Sequence, residues 1–267
     1  MIISFLRNKA VQTFGASDVA NSFLRVTSQY RMSRRSSTDM IKGHSKVKTV
    51  DHGDFTVTIV PSLSDNFMYL VKPVNSKRAF AIDPVDHKRI AHETIGLGTS
   101  LETILCTHHH ADHDGGNIPL KRLYPQLEVF GLDERIHGIT NQLEKKAVQD
   151  LSVCGLDVKV LHTPCHTTGH STYIVQSSSG EAAVFVGDTL FNAGCGRLFE
   201  GTPEELLTTV EHILSSVSDD DKMYFAHEYS ASNIRFALSV DPSNEDLKAR
   251  QKEVSDLREI SGNRLKI

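Results

Sequence analysis

One short segment limits the possible folds of this chain more than any other. Residues 107–116, THHHADHDGG, follow directly after an apolar stretch. Four histidines and two aspartates so close together are costly to bury unless they bind a shared partner. Imidazole nitrogens and carboxylate oxygens are the usual ligands of zinc, iron and manganese. Taken alone, the tract leaves open a metal site or a solvated, histidine-rich surface loop.

The order of residues within this tract indicates two metal positions. His108 and His110 lie two residues apart, so they point the same way in an extended or turning segment. Asp112 and His113 come where the chain turns, and they can face a second position close by. We expect His109 to point elsewhere.

Three further segments place a histidine or an aspartate just past a predicted strand. They are TPCHTTGH at 163–170, GDTLF at 187–191 and AHEY at 226–229. Loops at strand ends gather into sites over an open sheet edge, although a single histidine there is more often structural. Together with the tract they supply seven candidate ligands: His108, His110, Asp112, His113, His166, Asp188 and His227. Seven ligands are too many for one tetrahedral zinc, and they suit two ions that share a bridging carboxylate.

The hydrophobic pattern predicts strands that alternate with helices through one long domain, which is typical of an α/β or α+β fold. The predicted strands cover residues 55–60, 68–71, 79–82, 103–106, 129–131, 158–161, 172–175, 183–186 and 223–226. The best helix signal is Thr202, which is followed by a proline and a capping-box glutamate. The helix should bury its apolar residues Leu206, Leu207, Val210, Ile213 and Leu214.

Charge and cysteine content exclude several classes of function. The net charge is −4 over the chain and +7 over residues 1–49, so the remainder carries −11. An acidic body argues against nucleic-acid binding, which needs a basic surface. No apolar run approaches the ~20 residues of a membrane span. The four cysteines form no CxxC pair and follow no apolar secretory signal, so we expect reduced thiols in an intracellular compartment.

The longer strings around these ligands resemble hydroxyacylglutathione hydrolases (glyoxalase II), a family of the metallo-β-lactamase superfamily. The HxHxDH pattern indicates the superfamily only, whereas GDTLFNAGCGRLFEGT at 187–202 is closer to the family itself. The resemblance covers about residues 55–246. It implies an αββα sandwich that hydrolyses S-D-lactoylglutathione, a 2-hydroxyacylglutathione thioester, to glutathione and D-lactate.

The resemblance also implies a role for each ligand. The first metal ion takes His108, His110 and His166. The second takes Asp112, His113 and His227, and Asp188 bridges the two. Asp112 and Asp188 are then the catalytic carboxylates, acting with a metal-bound hydroxide that attacks the thioester carbonyl. The implied cofactors are two divalent ions per chain, zinc ahead of iron or manganese.

The substrate contacts that the resemblance implies are Arg197, Phe199 and Tyr229. Arg197 stands where the family has lysine, which keeps the charge but not its geometry, and Phe199 lacks a hydroxyl. The family's C-terminal helical region continues further and carries a basic pair that grips the glutathione carboxylates. Residues 231–267 are therefore interpreted as a short, truncated substrate-binding region beside a complete metal site.

Other functions remain open on the sequence. A persulfide dioxygenase shares the fold and acts on glutathione derivatives, but it needs a single iron with open positions. Seven ligands and the CGRLFEG string at 195–201 disfavour it. A lactonase is compatible with the fold alone, and so is a truncated isoform that binds metal but turns over little. The partner expected is a small glutathione thioester, and the chain is expected to be a monomer.

Residues 1–48 are interpreted as separate from a catalytic domain at 49–230. They are rich in Arg, Ser and Thr, and their only acids are Asp18 and Asp39. This composition is typical of a mitochondrial transit peptide, and the alternative is a disordered basic extension. We expect the mitochondrial matrix, with a cytoplasmic form if translation starts at Met32 or Met40.

A fluorescent protein fused behind residues 1–48 should enter mitochondria, because import favours basic, hydroxyl-rich and acid-poor segments. Microscopy of the fusion measures this directly. The matched control replaces Arg7, Arg25 and Arg31 with glutamine and should remain in the cytosol. Cytosolic fluorescence from the unaltered fusion would contradict the prediction.

Overall fold

The computed structural model describes residues 44–178 and 180–260. The predicted transit peptide covers residues 1–48, and residues 1–43 of it therefore lie outside the described residues. Within the described part, none of the helices combines the length and the apolar character that crossing a membrane requires.

The first sheet contains seven strands that are neighbours in chain order. They are β1 Lys48–Asp51, β2 Phe55–Ser62, β3 Asn66–Pro73, β4 Arg78–Ile82, β5 Ser100–Leu105, β6 Glu128–Gly131 and β7 Asn141–Gln142. Strands β1 to β4 pair antiparallel. From β4 to β7 each strand pairs parallel with the next. The carboxyl ends of these parallel strands lie at one edge, where the histidine-rich tract leaves β5.

The later strands build a second sheet and a small hairpin. They are β8 Val148–Val153, β9 Leu156–His162, β10 Ser171–Val175, β11 Ala183–Gly187, β12 Leu190–Phe191, β13 Gly194–Cys195 and β14 Lys222–Phe225. The second sheet has the order β14-β11-β10-β9-β8, in which only the β14–β11 pair is parallel. Because β9, β11 and β14 all run the same way, their carboxyl ends share one edge. Strands β12 and β13 pair with each other.

The two sheets face each other across one apolar core, and helices cover their outer faces. Tyr69 of the first sheet meets Phe185 of the second edge to face, with ring centroids 5.2 Å apart. The described helices are α1 His87–Gly96, α2 Ala111–Asp114, α3 Asn117–Leu123, α4 Pro203–Ser216, α5 Ser230–Val240 and α6 Glu245–Ile260. Ile90 of α1 packs in the outer core of the first sheet, and Ile213 of α4 packs in that of the second. The αββα sandwich is therefore confirmed.

All of the predicted strands are present, with small differences at their ends. The loop predicted at 61–66 is shorter, because Pro61 and Ser62 continue β2 and pair with β3. Pro61 has no N–H, but its carbonyl accepts a hydrogen bond from Arg89. Strands β1, β7, β8, β12 and β13 were not predicted, since they are short or lie at sheet edges with many exposed residues.

Helix α4 begins where the sequence predicts. Thr202 Oγ1 accepts a hydrogen bond from the Glu205 backbone N–H at 3.3 Å, and a Glu205 carboxylate oxygen accepts one from the Thr202 N–H at 2.8 Å. This reciprocal capping box satisfies two backbone donors that the first turn leaves unpaired. The predicted apolar stripe faces inward: Leu206, Ile213 and Leu214 are buried, and Leu207 and Val210 are partly buried.

Thr202→Ala should lower the free energy of unfolding by about 1 kcal/mol, because it removes the side-chain acceptor of the capping box. Urea-induced unfolding measures the loss. Thr208→Ala is the matched control, since Thr208 is exposed in the same helix and alanine favours helix. Equal effects of the two substitutions would show that the cap does not stabilise the helix.

Candidate metal centre

The first group of ligands consists of three imidazoles from two loops. His108 and His110 follow β5 of the first sheet, and His166 follows β9 of the second. His110 Nδ1 lies 3.0 Å from His108 Nε2 and 3.0 Å from His166 Nε2. Three ring nitrogens therefore converge on one position, which matches the donor set of a zinc or iron site.

The second group lies beside the first and mixes carboxylate with imidazole. His113 Nε2 and His227 Nε2 lie 3.7 and 3.5 Å from Asp112 Oδ2. Asp188 stands between the groups. Its Oδ1 lies 3.4 Å from His113 Nε2 and 3.3 Å from His227 Nε2, while its Oδ2 lies 3.4 Å from His166 Nε2. The two oxygens of one carboxylate thus face two different positions.

Two orphaned atoms test whether cations fit here. His113 Nε2 and Asp188 Oδ1 are buried, and neither has a hydrogen-bond partner among the residues that the structure describes. Buried polar atoms are nearly always paired, because an unpaired one loses its solvation without compensation. A divalent cation between them satisfies both atoms, so the donor set fits metal ions.

In three of the candidate imidazoles the other ring nitrogen contacts a carboxylate or backbone oxygen that fixes the ring. His113 Nδ1 lies 3.0 Å from Asp83 Oδ2, and His227 Nδ1 lies 2.8 Å from Asp65 Oδ1. His166 Nδ1 lies 2.7 Å from a backbone oxygen, that of Arg197. Such partners hold the ring and direct the free nitrogen at the metal position.

Sequence reasoning missed these supporting residues. Asp83 directly follows the predicted strand 79–82, the same position that identified the ligands, so this signal was available. Its carboxylate also accepts hydrogen bonds from the Thr107 N–H and hydroxyl, at 2.7 and 2.6 Å. Asn66 donates to Asp112 Oδ2 at 3.2 Å. No comparable signal marks Asp65 or Asn66.

Burial and the charges of neighbouring side chains shift the pKa values of the clustered imidazoles and of Asp188. Burial and neighbouring imidazoles lower the pKa of His108 far below its usual range and that of His110 to about 4, so both rings are neutral ligands. Burial would raise the pKa of Asp188, but the imidazoles of His227 and His113 lower it, and the carboxylate is ionised. Burial lowers the pKa of His227, yet Asp188 raises it to about 10.

The remaining predicted residues surround the cluster. His109 points away from both groups, with Nδ1 3.4 Å from Asp133 Oδ2. The exposed ring of Phe199 meets the rings of His110 and His166 edge to face, at 5.4 and 5.2 Å between centroids. The Arg197 guanidinium lies 5.1 Å from the Phe199 ring centroid.

Tyr229 covers the other side of the cluster. Its ring stacks on His227 with centroids 4.9 Å apart and an interplanar angle of 2°. Phe191 meets the Tyr229 ring edge to face at 5.3 Å. The predicted substrate residues therefore flank both groups of ligands.

Two glycines bring the 196–201 loop against the ligand loops. A Cβ on Gly196 would lie 1.9 Å from the Asp188 backbone oxygen, and one on Gly201 would lie 2.6 Å from Cys165 Cα. Only glycine permits these approaches, so the two glycines of the CGRLFEG string are explained by close packing of backbone.

Comparison with known proteins identifies relatives of the whole described sandwich. The family model of the metallo-beta-lactamase superfamily matches residues 64–227, and that of the hydroxyacylglutathione hydrolase C-terminus matches residues 228–265. A hydroxyacylglutathione hydrolase of Synechococcus sp. is 41% identical over 209 residues, which cover 76% of this chain and 80% of the relative.

Two solved structures share the fold at 26% sequence identity. ETHE1 from Myxococcus xanthus superposes with a TM-score of 0.57, covering 69% of this chain and 76% of that one. TTHA1623, solved in a di-iron-bound form, superposes with a TM-score of 0.50, covering 64% and 90%.

Asp188→Ala should lose both metal ions, because the carboxylate faces both groups of ligands. Elemental analysis of the purified, metal-replete protein measures the ions per chain. Asp188→Asn keeps the shape of the side chain and should also lose metal, which separates a ligand effect from a packing effect. His109→Ala is the matched control and should retain the wild-type content. A fully loaded Asp188→Ala protein would contradict the bridging role.

Proposed function

The chain belongs to the hydroxyacylglutathione hydrolase family of the metallo-β-lactamase superfamily and is a thioester hydrolase, and on this basis we propose its substrates and its metal centre. The substrates proposed are S-D-lactoylglutathione and related 2-hydroxyacylglutathione thioesters. The products are glutathione and the free 2-hydroxy acid, which is D-lactate for the first substrate.

The observation that carries this proposal is the placement of Asp188 between two groups of three ligands. We assign His108, His110 and His166 to one divalent ion and Asp112, His113 and His227 to the other. Two such ions, when bound, would supply an activated water at neutral pH and would polarise the thioester carbonyl. We propose zinc for both positions, while the same donors also accept iron or manganese.

The side chains around the centre have separate tasks. Asp112 is the most exposed of the ligand carboxylates, so it lies on the side that a substrate approaches. The Phe199 ring offers an apolar surface beside that side, and the Arg197 guanidinium offers a charge for a glutathione carboxylate. Tyr229 borders the opposite side. A thiolate leaves readily, so no side chain has to protonate the leaving sulfur.

A single-iron persulfide dioxygenase is the nearest competing function. It requires two histidines, one carboxylate and open positions on one metal. The second group of ligands, with its own buried and unpaired His113 Nε2, favours two ions instead.

The organisation of the chain follows from the same family. We propose a catalytic domain at 49–230, followed by a substrate-binding region at 231–267 that contains helix α6 and all of α5 except its first residue. The family's C-terminal model spans residues 228–265, which supports this division. We also propose that the protein is a monomer. Residues 1–48 would target it to the mitochondrial matrix, and a form that starts at Met32 or Met40 would remain in the cytoplasm.

Thioester hydrolysis by the purified chain tests the proposal directly. We expect loss of thioester absorbance with S-D-lactoylglutathione and no oxygen uptake with glutathione persulfide. Oxygen uptake without thioester cleavage would favour the dioxygenase.

Arg197→Met should raise KM for S-D-lactoylglutathione by roughly 10- to 150-fold, the equivalent of one charge-assisted hydrogen bond of about 1.5–3 kcal/mol. Its kcat should change less, because the Arg197 backbone carbonyl that binds His166 is retained. A simple lactoyl thioester without glutathione is the control substrate, and its KM should not change. Equal changes for both substrates would show that Arg197 does not recognise glutathione.

A further inference from the structure

A network of ion pairs and hydrogen bonds outside the metal ligands joins three loops around the centre. Arg135, in the loop after β6, donates from Nε to both oxygens of Asp133, at 2.9 and 3.0 Å. Its Nη1 and Nη2 donate to the two oxygens of Glu200, at 2.6 and 2.8 Å. Asp133 is buried, so its carboxylate holds the guanidinium from the side of the protein interior. The Nη1 and Nη2 groups of Arg135 then fix the carboxylate of Glu200, which lies in the 196–201 loop.

Glu200 contacts the chain on both sides of His166. Its Oε2 accepts hydrogen bonds from the Thr168 N–H and hydroxyl, at 2.7 and 3.0 Å. Its own backbone N–H donates to the Cys165 carbonyl at 3.3 Å. One residue therefore holds the loop immediately before and shortly after this ligand.

The same loop supplies the oxygen that orients the ligand. His166 Nδ1 lies 2.7 Å from the carbonyl oxygen of Arg197, three residues before Glu200. Gly196 and Gly201 press both ends of the loop against the ligand loops. A displacement of Glu200 therefore displaces the Arg197 carbonyl and turns the imidazole.

Stability alone does not account for this arrangement. The Arg135 and Glu200 side chains are both partly exposed, and exposed ion pairs contribute little to the free energy of unfolding. Hydrogen bonds from Arg135 hold the pKa of Glu200 far below its usual range, so the carboxylate is ionised. What the pair provides is a fixed geometry for two loops that meet at one ligand.

We propose that Arg135 and Glu200 are positioning residues that orient His166 and thereby set the affinity of the first metal position. The inference rests on the proposed binuclear centre. The imidazoles of the second position are oriented by other loops, because their partners are Asp83 and Asp65. The two positions share Asp188 but not these partners. The two ions should therefore respond differently to changes at Arg135 or Glu200.

The test is a zinc titration of the metal-free full chain against a chromophoric chelator, which resolves two dissociation constants. Glu200→Gln removes the charge at nearly constant shape, and Arg135→Met removes the guanidinium at similar length. In each variant one dissociation constant should rise 10- to 100-fold, the usual effect of losing a partner behind a metal ligand, and the other should stay near its wild-type value.

Two further variants separate positioning from general damage. Arg135→Lys keeps the charge but not the two-pronged geometry, so its loss of affinity should be intermediate. Arg78→Met breaks the exposed Arg78–Glu102 pair, which joins β4 and β5, and should leave both constants unchanged. If Arg135→Met does not fold by circular dichroism, Glu200→Gln decides the outcome.

The possible results are distinct. If the wild-type chain binds fewer than two zinc ions, the proposed binuclear centre is wrong, and the positioning role that depends on it is wrong as well. Two ions in the wild type and unchanged constants in Glu200→Gln overturn the inference alone. Equal weakening of both ions also overturns it, since this indicates a structural role without preference for His166.

Discussion

The carboxylate of Asp188 is the constraint on which the rest of the structure depends. A buried anion is costly unless positive charge or strong donors surround it. Here the neighbours are His113 from the first sheet and His166 and His227 from the second. The two sheets must therefore dock with the carboxyl ends of β5, β9, β11 and β14 at one edge, and the apolar core between them keeps that docking in register.

Most of the fold was predictable from the sequence because its central strands are buried. Strand β11, for example, is buried at every residue, so an apolar run between turn signals identifies it. Strand β8 was missed because only its last residue is buried, and its pattern resembles a polar loop. The start of helix α4 was predicted to the residue, since its cap is a local interaction between Thr202 and Glu205.

The candidate site likewise contains residues that the local sequence identifies and residues that only contacts between distant segments reveal. The seven candidate ligands were recognisable because each stands beside a strand end or within one dense tract. Their supports depend on contacts between segments far apart in sequence. Asp65 meets His227, and Arg135 meets Glu200, without any shared motif. Only the packed arrangement of loops shows such pairs, because no periodicity of the chain connects them.

The division of candidate ligands between the two sheets has a consequence for the order in which the site is completed during synthesis. During synthesis the histidine-rich tract leaves the ribosome long before His227, which comes after the last strand of the second sheet. A nascent chain therefore carries four candidate ligands on one half before His166, Asp188 and finally His227 follow on the other. Completion of both groups of candidate ligands is consequently a late event, which requires both halves of the sandwich.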